Sequence, residues 1–263
     1  MTWKLDLKKN LEFSSPIFIE GLPGIGNVGK IVIDYLIDLT HAKKIGSLFS
    51  HSLPNSVFVN QKNMITLPSI DLYSLKVGKQ DFIFLSGDAQ PNEEKASYEL
   101  SEIILDILEQ FKCNKIITLG GIGLNEIPEE PQIFVTGNDK KFIKEFKEVG
   151  ANPNLFGVVG PIIGVSGLLL GLSQKRKMSA IALLGETFGH PMYIGLKEAK
   201  KILELLDKKY KFKLNLKELI EEINLIDEEL KHIEEQGISE NPLKTKSKKV
   251  SKLKKYQELG YIG

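Results

Sequence analysis

The sequence predicts an α/β fold: a central, mainly parallel β-sheet flanked by helices, with a C-terminal helical appendage and a flexible tail. Three observations support this prediction. Short β-rich segments alternate with amphipathic stretches, glycine-rich turns follow several strand candidates, and a heptad-like pattern begins after Phe212. We therefore expect an α/β core domain over residues 1–212, an amphipathic helix over 213–237 and a Lys-rich tail over 238–263.

The core begins with a strand candidate at Pro16–Glu20, which contains two isoleucines and a phenylalanine. A glycine-rich turn and a helix over 27–40 follow it. Closely spaced strand candidates between residues 45 and 86 have no helix among them, which predicts hairpins inserted into the α/β plan. The further strands are predicted at 45–50, 57–60, 64–67, 82–86, 115–119, 132–136 and 180–184, and the further helices at 93–111, 140–148, 162–172 and 195–210.

The predicted C-terminal helix carries an apolar stripe with alternating steps of three and four residues. A helix packed on its own domain and an oligomer seam both explain such a stripe, and we expect the chain to form a homo-oligomer. After Gly237, seven of the twelve residues from Lys244 to Lys255 are lysine, so charge repulsion favours a mobile tail. The stripe consists of Leu216, Leu219, Ile223, Ile226, Leu230 and Ile233.

The charge balance limits the kinds of partner. The chain has 35 Lys and Arg residues against 34 Asp and Glu residues, a formal net charge of +1. A dedicated nucleic-acid-binding protein needs a clear basic excess, so nucleic acid is not an expected partner. Cys113 is the only cysteine, which excludes a disulfide within the chain and favours a cytoplasmic protein.

One segment could be mistaken for a membrane span. Residues 155–172 form an uncharged apolar run that reaches the lower length limit for a transmembrane helix. The turn signal Gly160-Pro161 interrupts this run, so we predict a tightly packed helix of a water-soluble protein and no membrane partner. The N-terminal residues also lack the apolar core of a signal peptide.

A glycine-rich turn follows the first strand. Gly24, Gly26 and Gly29 have the spacing of a dinucleotide-binding fingerprint, and amides at a helix N-terminus such as Asn27 can hold an anion. However, the expected acidic residue about twenty positions on is missing, and Lys30 is not followed by the Ser or Thr of a P-loop. A structural or interaction turn is the preferred interpretation, with nucleotide binding as the alternative.

A second glycine cluster, which includes Gly121 and Gly123, follows the strand at 115–119. Because loops at the carboxyl ends of parallel strands share one edge of a sheet, the glycine clusters could meet there and bind a ligand. The simpler interpretation is that each cluster supplies a turn with positive φ or a close backbone approach. We prefer this interpretation because the sequence shows no convergent polar side chains beside them.

The polar candidates are sparse. Asp88 follows the strand at 82–86, where a catalytic or metal-binding carboxylate is common, although it could equally cap the turn before the next helix. Glu186 follows the strand at 180–184 and completes an alternative polar site. The four histidines lack metal-ligand spacing, so we expect no metal, no cofactor and no catalytic residues.

Five ordered blocks of sequence resemble the archaeal branch of the proteasome assembly chaperone family. The resemblance implies an α/β fold related to nucleoside phosphorylases and a role in protein assembly rather than catalysis. Some relatives carry an ATP-grasp-like enzyme label, which keeps a nucleotide-binding enzyme as the alternative. The blocks are Gly21–Gly29, Gly87–Pro91, Leu119–Gly123, Gly160–Leu170 and Leu183–Thr187.

The resemblance also implies a role for the chain's last residues. Proteasome-binding partners of this kind commonly end in a hydrophobic residue, a tyrosine and one final residue, which enter pockets between α-ring subunits. This chain ends in Tyr261-Ile262-Gly263, so its tyrosine is third from the end rather than second. We expect these three residues to bind proteasome α subunits or another protein, with the Lys-rich segment as a tether.

Overall fold

A computed structural model describes residues 3–60, 62–155, 157 and 160–235, and its centre is an eight-stranded sheet. A separate two-stranded hairpin lies between the third and fourth strands of this sheet along the chain. The strands of the main sheet are β1 (Trp3–Leu7), β2 (Ile17–Gly21), β3 (Lys43–Ser50), β6 (Ile70–Val77), β7 (Gln80–Gly87), β8 (Lys115–Leu124), β9 (Ile133–Gly137) and β10 (Ser179–Phe188), and the hairpin strands are β4 (Phe58–Val59) and β5 (Ile65–Thr66).

The sheet has the order β1-β3-β6-β7-β2-β8-β10-β9. Its four central strands, β7, β2, β8 and β10, are mutually parallel, whereas the strands on either side pair antiparallel. The predicted α/β class with a mainly parallel centre is therefore confirmed. The central strands end together, and we call this side of the sheet the carboxyl edge.

Six helices cover the two faces of the sheet. The helices α1, α3, α5 and α6 pack over one face, in a core that contains Ile19 and Ile117. The helices α2 and α4 pack over the other face, in a core that contains Phe18 and Ile116. Their bounds are α1 (Val28–Thr40), α2 (Glu94–Gln110), α3 (Lys140–Lys147), α4 (Val165–Lys175), α5 (Leu196–Tyr210) and α6 (Lys217–Glu235).

Two strands of the structure were not predicted. β6 alternates between apolar and polar residues and pairs with β7 across a turn at Gly78, which has a φ of 59°. This alternation and the short turn are themselves signals of a strand, so the sequence contained the evidence for β6. β1 is an edge strand held by β3, and it buries Trp3. The prediction of inserted hairpins between residues 45 and 86 is confirmed.

The apolar stripe of α6 packs on its own domain. Leu219 is fully buried and Ile223 is nearly so, both in the core that contains α1 and α5. Tyr35 on α1 also donates a hydrogen bond to Glu222 on α6, with an oxygen–oxygen distance of 2.7 Å. The first half of the stripe therefore completes the core rather than an oligomer seam, while the side chains of Leu230 and Ile233 lie outside the described part of the chain.

The described residues include no helix that combines the length and the hydropathy needed to cross a membrane. The apolar run found in the sequence overlaps α4, which packs on α2 and on the sheet.

The packing of α6 gives a test of this core. Leu219→Ala removes a fully buried side chain, and we expect it to lower the free energy of unfolding by about 2–5 kcal/mol in urea denaturation. Leu225→Ala on the same helix is the matched control, because Leu225 is 45% exposed. Equal, small effects of the two substitutions would contradict the packing of this helix on the core.

Candidate functional site

The loop after β2 is built from glycines in special backbone conformations. It comprises residues 22–27, and we call it the glycine loop. Gly26 and Asn27 have φ values of 61° and 51°, in the left-handed region that favours glycine and asparagine. The amide of Asn27 donates to the carbonyl of Gly24 at 2.9 Å, which closes a tight turn before α1 begins.

The glycine loop lies directly against the ends of β8 and β10. A Cβ atom on Gly26 would stand 2.6 Å from Oγ1 of Thr187, and one on Gly121 would stand 2.5 Å from the carbonyl oxygen of Ile25. The amide of Gly195 donates to the carbonyl of Gly26 at 2.8 Å. Protein atoms therefore fill the space between this loop and the two strands.

Close approach also fixes α1 on the sheet. A Cβ atom on Gly29 would stand 2.4 Å from the carbonyl oxygen of Leu119, and one on Gly21 would stand 2.2 Å from the carbonyl oxygen of Gly29. Contacts this short exclude any side chain. The spacing that resembles a dinucleotide fingerprint thus permits a strand, a loop and a helix to pack backbone against backbone.

The structure brings the glycine clusters of the sequence together at the carboxyl edge. A Cβ atom on Gly123 would stand 3.5 Å from the side chain of Ile25 in the glycine loop. Gln90 connects the glycine loop to the glycine-containing segment that precedes α4. Its side-chain amide donates to the carbonyl of Pro23 at 2.6 Å, and its side-chain oxygen accepts from the amide of Val165 at 3.1 Å. The clusters form one connected surface layer.

Asp88 and Glu186 are held apart by this topology. The carboxylate of Asp88 accepts from the amide of Ser69 at 3.0 Å, and that of Glu186 accepts from the amide of Gln132 at 2.9 Å. Asp88 follows β7 and Glu186 belongs to β10, so three strand spacings, about 14 Å, separate their strands. Each carboxylate anchors a different loop, and the two do not form a joint polar site.

The lysine next to the glycine loop, Lys30, forms an ion pair with a carboxylate of its own helix. Lys30 contacts both carboxylate oxygens of Asp34, at 2.7 and 2.8 Å, and donates to Ser86 at 3.0 Å. Ser86 in turn donates to Asp34 at 2.7 Å. Since Lys30 and Asp34 are both largely buried, this arrangement ties α1 to β7 rather than offering a cation to a phosphate.

Sequence reasoning missed a buried carboxylate at the end of β2. Glu20 is fully buried, and this burial raises its pKa to about 7. One oxygen accepts from the amide of Leu22 at 3.0 Å and from the hydroxyl of Ser166 at 3.2 Å. Its other oxygen and the hydroxyl of Thr118, its register partner on β8, have no hydrogen-bond partner among the described residues.

A second buried carboxylate, Glu198, lies on the other face of the sheet at the start of α5. Burial raises its pKa, while hydrogen bonds from its own amide and from Tyr193 oppose the increase. A signal for Glu20 is present in the sequence as an acidic residue inside an apolar strand, but Glu198 looks like an ordinary residue of a helical first turn. Only the packing of α5 on β10 shows that Glu198 is buried.

Exposed apolar side chains surround the glycine loop. They come from the glycine loop itself, the β8–β9 loop, the segment before α4 and the β10–α5 loop, all of which lie at the carboxyl edge. We call them the apolar rim. They are Ile25 (49% exposed), Ile127 (42%), Ile163 (83%) and Met192 (55%).

Two cavities of the described part of the chain lie away from the glycine loop. Two surface cavities, of about 440 and 270 Å³, share Pro131 and Lys201 in their walls, and the glycine loop lines neither. Among the described residues, no group of three or more His, Cys, Asp or Glu side chains could hold a metal ion. Tyr261, Ile262 and Gly263 lie outside the described residues.

The fold and this edge define an α/β protein whose strand-end glycines pack against one another and whose exposed rim is apolar. Comparison with models of protein families identifies the family of this chain. Residues 18–234 match the PAC2 family, and the chain belongs to it.

Solved structures and a sequence relative are similar to this chain over most of its length. The crystal structure of Pyrococcus furiosus PbaB, an archaeal proteasome activator, is similar with a TM-score of 0.80 and 30% identity over 89% of this chain and 100% of that chain. Pyrococcus furiosus PbaA, an archaeal homolog of proteasome-assembly chaperone, has a TM-score of 0.74 and 26% identity over 90% and 93% of the two chains. An uncharacterized Methanocaldococcus jannaschii protein is 29% identical over 97% of this chain and 95% of its own length.

The buried Glu20 predicts a specific pH dependence. Its pKa in the folded protein, about 7, lies above the ordinary value of 4.5, so the folded state binds its proton more tightly than the unfolded state. This contribution to the free energy of unfolding is therefore greatest below about pH 4.5, falls as the pH rises to about 7, and is lost above that.

Glu20→Gln should remove this fall because an amide does not titrate, and its oxygen can still accept from the amide of Leu22 and the hydroxyl of Ser166. Urea denaturation at about pH 5 and about pH 8 should show the variant gaining up to about 3 kcal/mol relative to the natural protein at the higher pH. Glu126→Gln, in an exposed loop, is the control. If the free energy of unfolding has the same pH dependence in the natural protein and in the Glu20 variant, the raised pKa of Glu20 is refuted.

Proposed function

We propose that this protein is a non-catalytic binding factor of the proteasome-assembly-chaperone kind, which self-associates in the cytoplasm and captures proteasome α subunits. The observation that carries this proposal is the closed glycine loop beneath an exposed apolar rim. A surface of this kind offers little space for a small ligand and much apolar area for another polypeptide.

The chemistry of the carboxyl edge supports binding over turnover. Lys30, Asp88 and Glu186 are each engaged with a neighbouring side chain or backbone amide. Glu20 is fully buried. General acid–base catalysis needs such groups within reach of a substrate atom. At the apolar rim, by contrast, the side chains of Ile163 and Met192 are free to be covered by a partner.

The relatives support the choice of partner. PbaB is described as a proteasome activator and PbaA as a homolog of proteasome-assembly chaperone, and both share the fold over about nine-tenths of this chain. We extend this to proteasome α subunits, with the rim as one contact and Tyr261-Ile262-Gly263 as a second. The Lys-rich tether allows both contacts at once, which raises the overall affinity.

The second candidate function is a nucleotide-binding or ATP-grasp-like enzyme that uses the glycine loop, as some relatives of the resembling family are labelled. Gly24 is the observation in its favour, since this glycine is exposed and a Cβ atom there would meet no atom within 4 Å. The loop therefore has open space at that position. The two candidates differ in what they bind, so they can be separated directly.

The protein-binding proposal predicts that both contacts contribute to capture of proteasome α subunits. Deleting residues 255–263, or Tyr261→Ala, should weaken capture in a pull-down because the tail anchor is lost. Ile163→Asp should weaken it independently because a charge would be buried against an apolar partner. Each loss should be about tenfold or more in the dissociation constant.

Asp106→Asn on the outer surface of α2 is a control, because this exposed charge lies far from the apolar rim in the fold. Its capture should equal that of the natural protein. Capture that survives both the tail deletion and Ile163→Asp, with the fold intact by circular dichroism, would reject the proposed binding surfaces.

The closed loop predicts that ATP or a nucleoside leaves the melting temperature unchanged. The enzyme alternative predicts a rise with ligand concentration, because a ligand that binds only the folded state stabilises it. Gly24→Asp is the diagnostic variant: it puts a carboxylate in the loop where there is room, whereas Gly26→Asp would collide with Thr187. A thermal shift that Gly24→Asp abolishes would overturn the non-catalytic proposal.

A further inference from the structure

The hairpin of β4 and β5 presents an apolar face to solvent. Val59 pairs with Ile65 in the hairpin register, and Val57 and Leu67, each two residues away from one of them, directly flank the two strands. Because side chains alternate between the faces of a strand, all four share one face. Their exposed fractions are 50% for Val57, 66% for Val59, 67% for Ile65 and 59% for Leu67.

Few hydrogen bonds hold this hairpin together among its described residues. Asn60 closes its turn: its amide donates to the carbonyl of Met64 at 2.9 Å, and its side chain accepts from the amides of Lys62 and Met64. However, each strand is only two residues long, and an isolated two-stranded hairpin is marginally stable in water. A partner that covers the apolar face would stabilise it.

The charge of the hairpin restricts the partner. Lys62 is the only charged residue between Pro54 and Pro68. A surface that is apolar and nearly uncharged has no means to select a charged partner, but it can meet its own copy without like-charge repulsion. In a twofold arrangement the same patch serves both subunits, so self-complementarity is the only requirement.

The area of the face fits this arrangement. The four side chains leave on the order of 400 Å² of apolar surface in water, the size of patch that marks interaction sites. Two copies face to face would bury about 800 Å² from these side chains alone, close to the roughly 1,000 Å² that a specific interface needs. Met64, which is 62% exposed, and the open edges of both strands can supply the remainder.

We infer that the apolar face of the β4–β5 hairpin binds the same face of a second copy of this chain and forms its self-association interface. The inference specifies the self-association that the proposed function includes, and it does not depend on the capture of α subunits. It also places the interface away from the first half of the α6 stripe, which packs on the core of its own domain.

The hairpin lies at the carboxyl edge of the sheet, so the interface determines which edges of two copies meet. β3 runs parallel to β7 and β6 runs antiparallel to it, so the hairpin between β3 and β6 emerges at the carboxyl edge. The backbone of Asp88, which follows β7, bonds there to Ser69 just before β6. Pairing through hairpins thus joins the carboxyl edges of two copies and places two apolar rims in one assembly.

The test is the mass of the full-length protein in solution. Analytical ultracentrifugation of the natural protein across a concentration series should show association. Ile65→Asp should raise the dissociation constant about tenfold or more, because it buries like charges against each other. Thr66→Asp, one residue away on the opposite face of β5, is the matched control and should associate like the natural protein.

Mixing two oppositely charged variants gives the most decisive experiment. Ile65→Asp and Ile65→Lys should each be dissociated alone, and an equimolar mixture should regain association because opposite charges then meet across the interface. Far-UV circular dichroism and a cooperative thermal transition will show that the variants fold, since Ile65 belongs to no core cluster of the described residues.

Three results would overturn the inference. The first is a natural protein that stays monomeric at every concentration. The second is an Ile65→Asp variant that associates as the natural protein does. The third is an Ile65→Asp variant that still self-associates but no longer captures α subunits, which would assign the face to a different partner. If capture fails in the natural protein while hairpin-dependent association persists, only the proposed α-subunit binding is wrong.

Discussion

The architecture of this protein depends on backbone-to-backbone contact at the carboxyl edge of its sheet. Gly21, Gly26, Gly29 and Gly121 each stand where a Cβ atom would lie within 2.6 Å of a neighbouring atom, so only glycine permits these approaches. These contacts fix α1 on β2 and β8, and they press the glycine loop against β10. The edge that holds the ligand in many open α/β sheets is consequently filled by the protein itself.

This closure decides what the surface can do. The polar groups of the edge are drawn inward or into local contacts: Lys30 is paired with Asp34, and Glu20 and Glu198 are buried on opposite faces of the sheet. The loops of this edge expose the apolar side chains of the rim. Membership of the PAC2 family and likeness to PbaA and PbaB are consistent with a surface that contacts another protein.

Local patterns predicted most of the sheet and helices but little of the site. The apolar residues of β2 and the periodicity of α2 and α5 are strong local signals, whereas β1 depends on β3, a strand that is distant in sequence. The alternating pattern of β6 and its tight turn to β7 are local signals that were overlooked. The glycines were recognised because their spacing is local. Glu20 was missed although its place in an apolar strand is a local signal, whereas its contact with Ser166 on α4, almost 150 residues away, depends on the tertiary fold.

Amide hydrogen exchange of the full-length chain, measured alone, with ATP and with proteasome α subunits, tests this account most directly. We expect α subunits to slow amide exchange in the β10–α5 loop and around Ile163. We expect ATP to leave the exchange rate of every amide in the glycine loop unchanged. Protection of residues 24–29 by ATP, with no protection of the rim by α subunits, would contradict it.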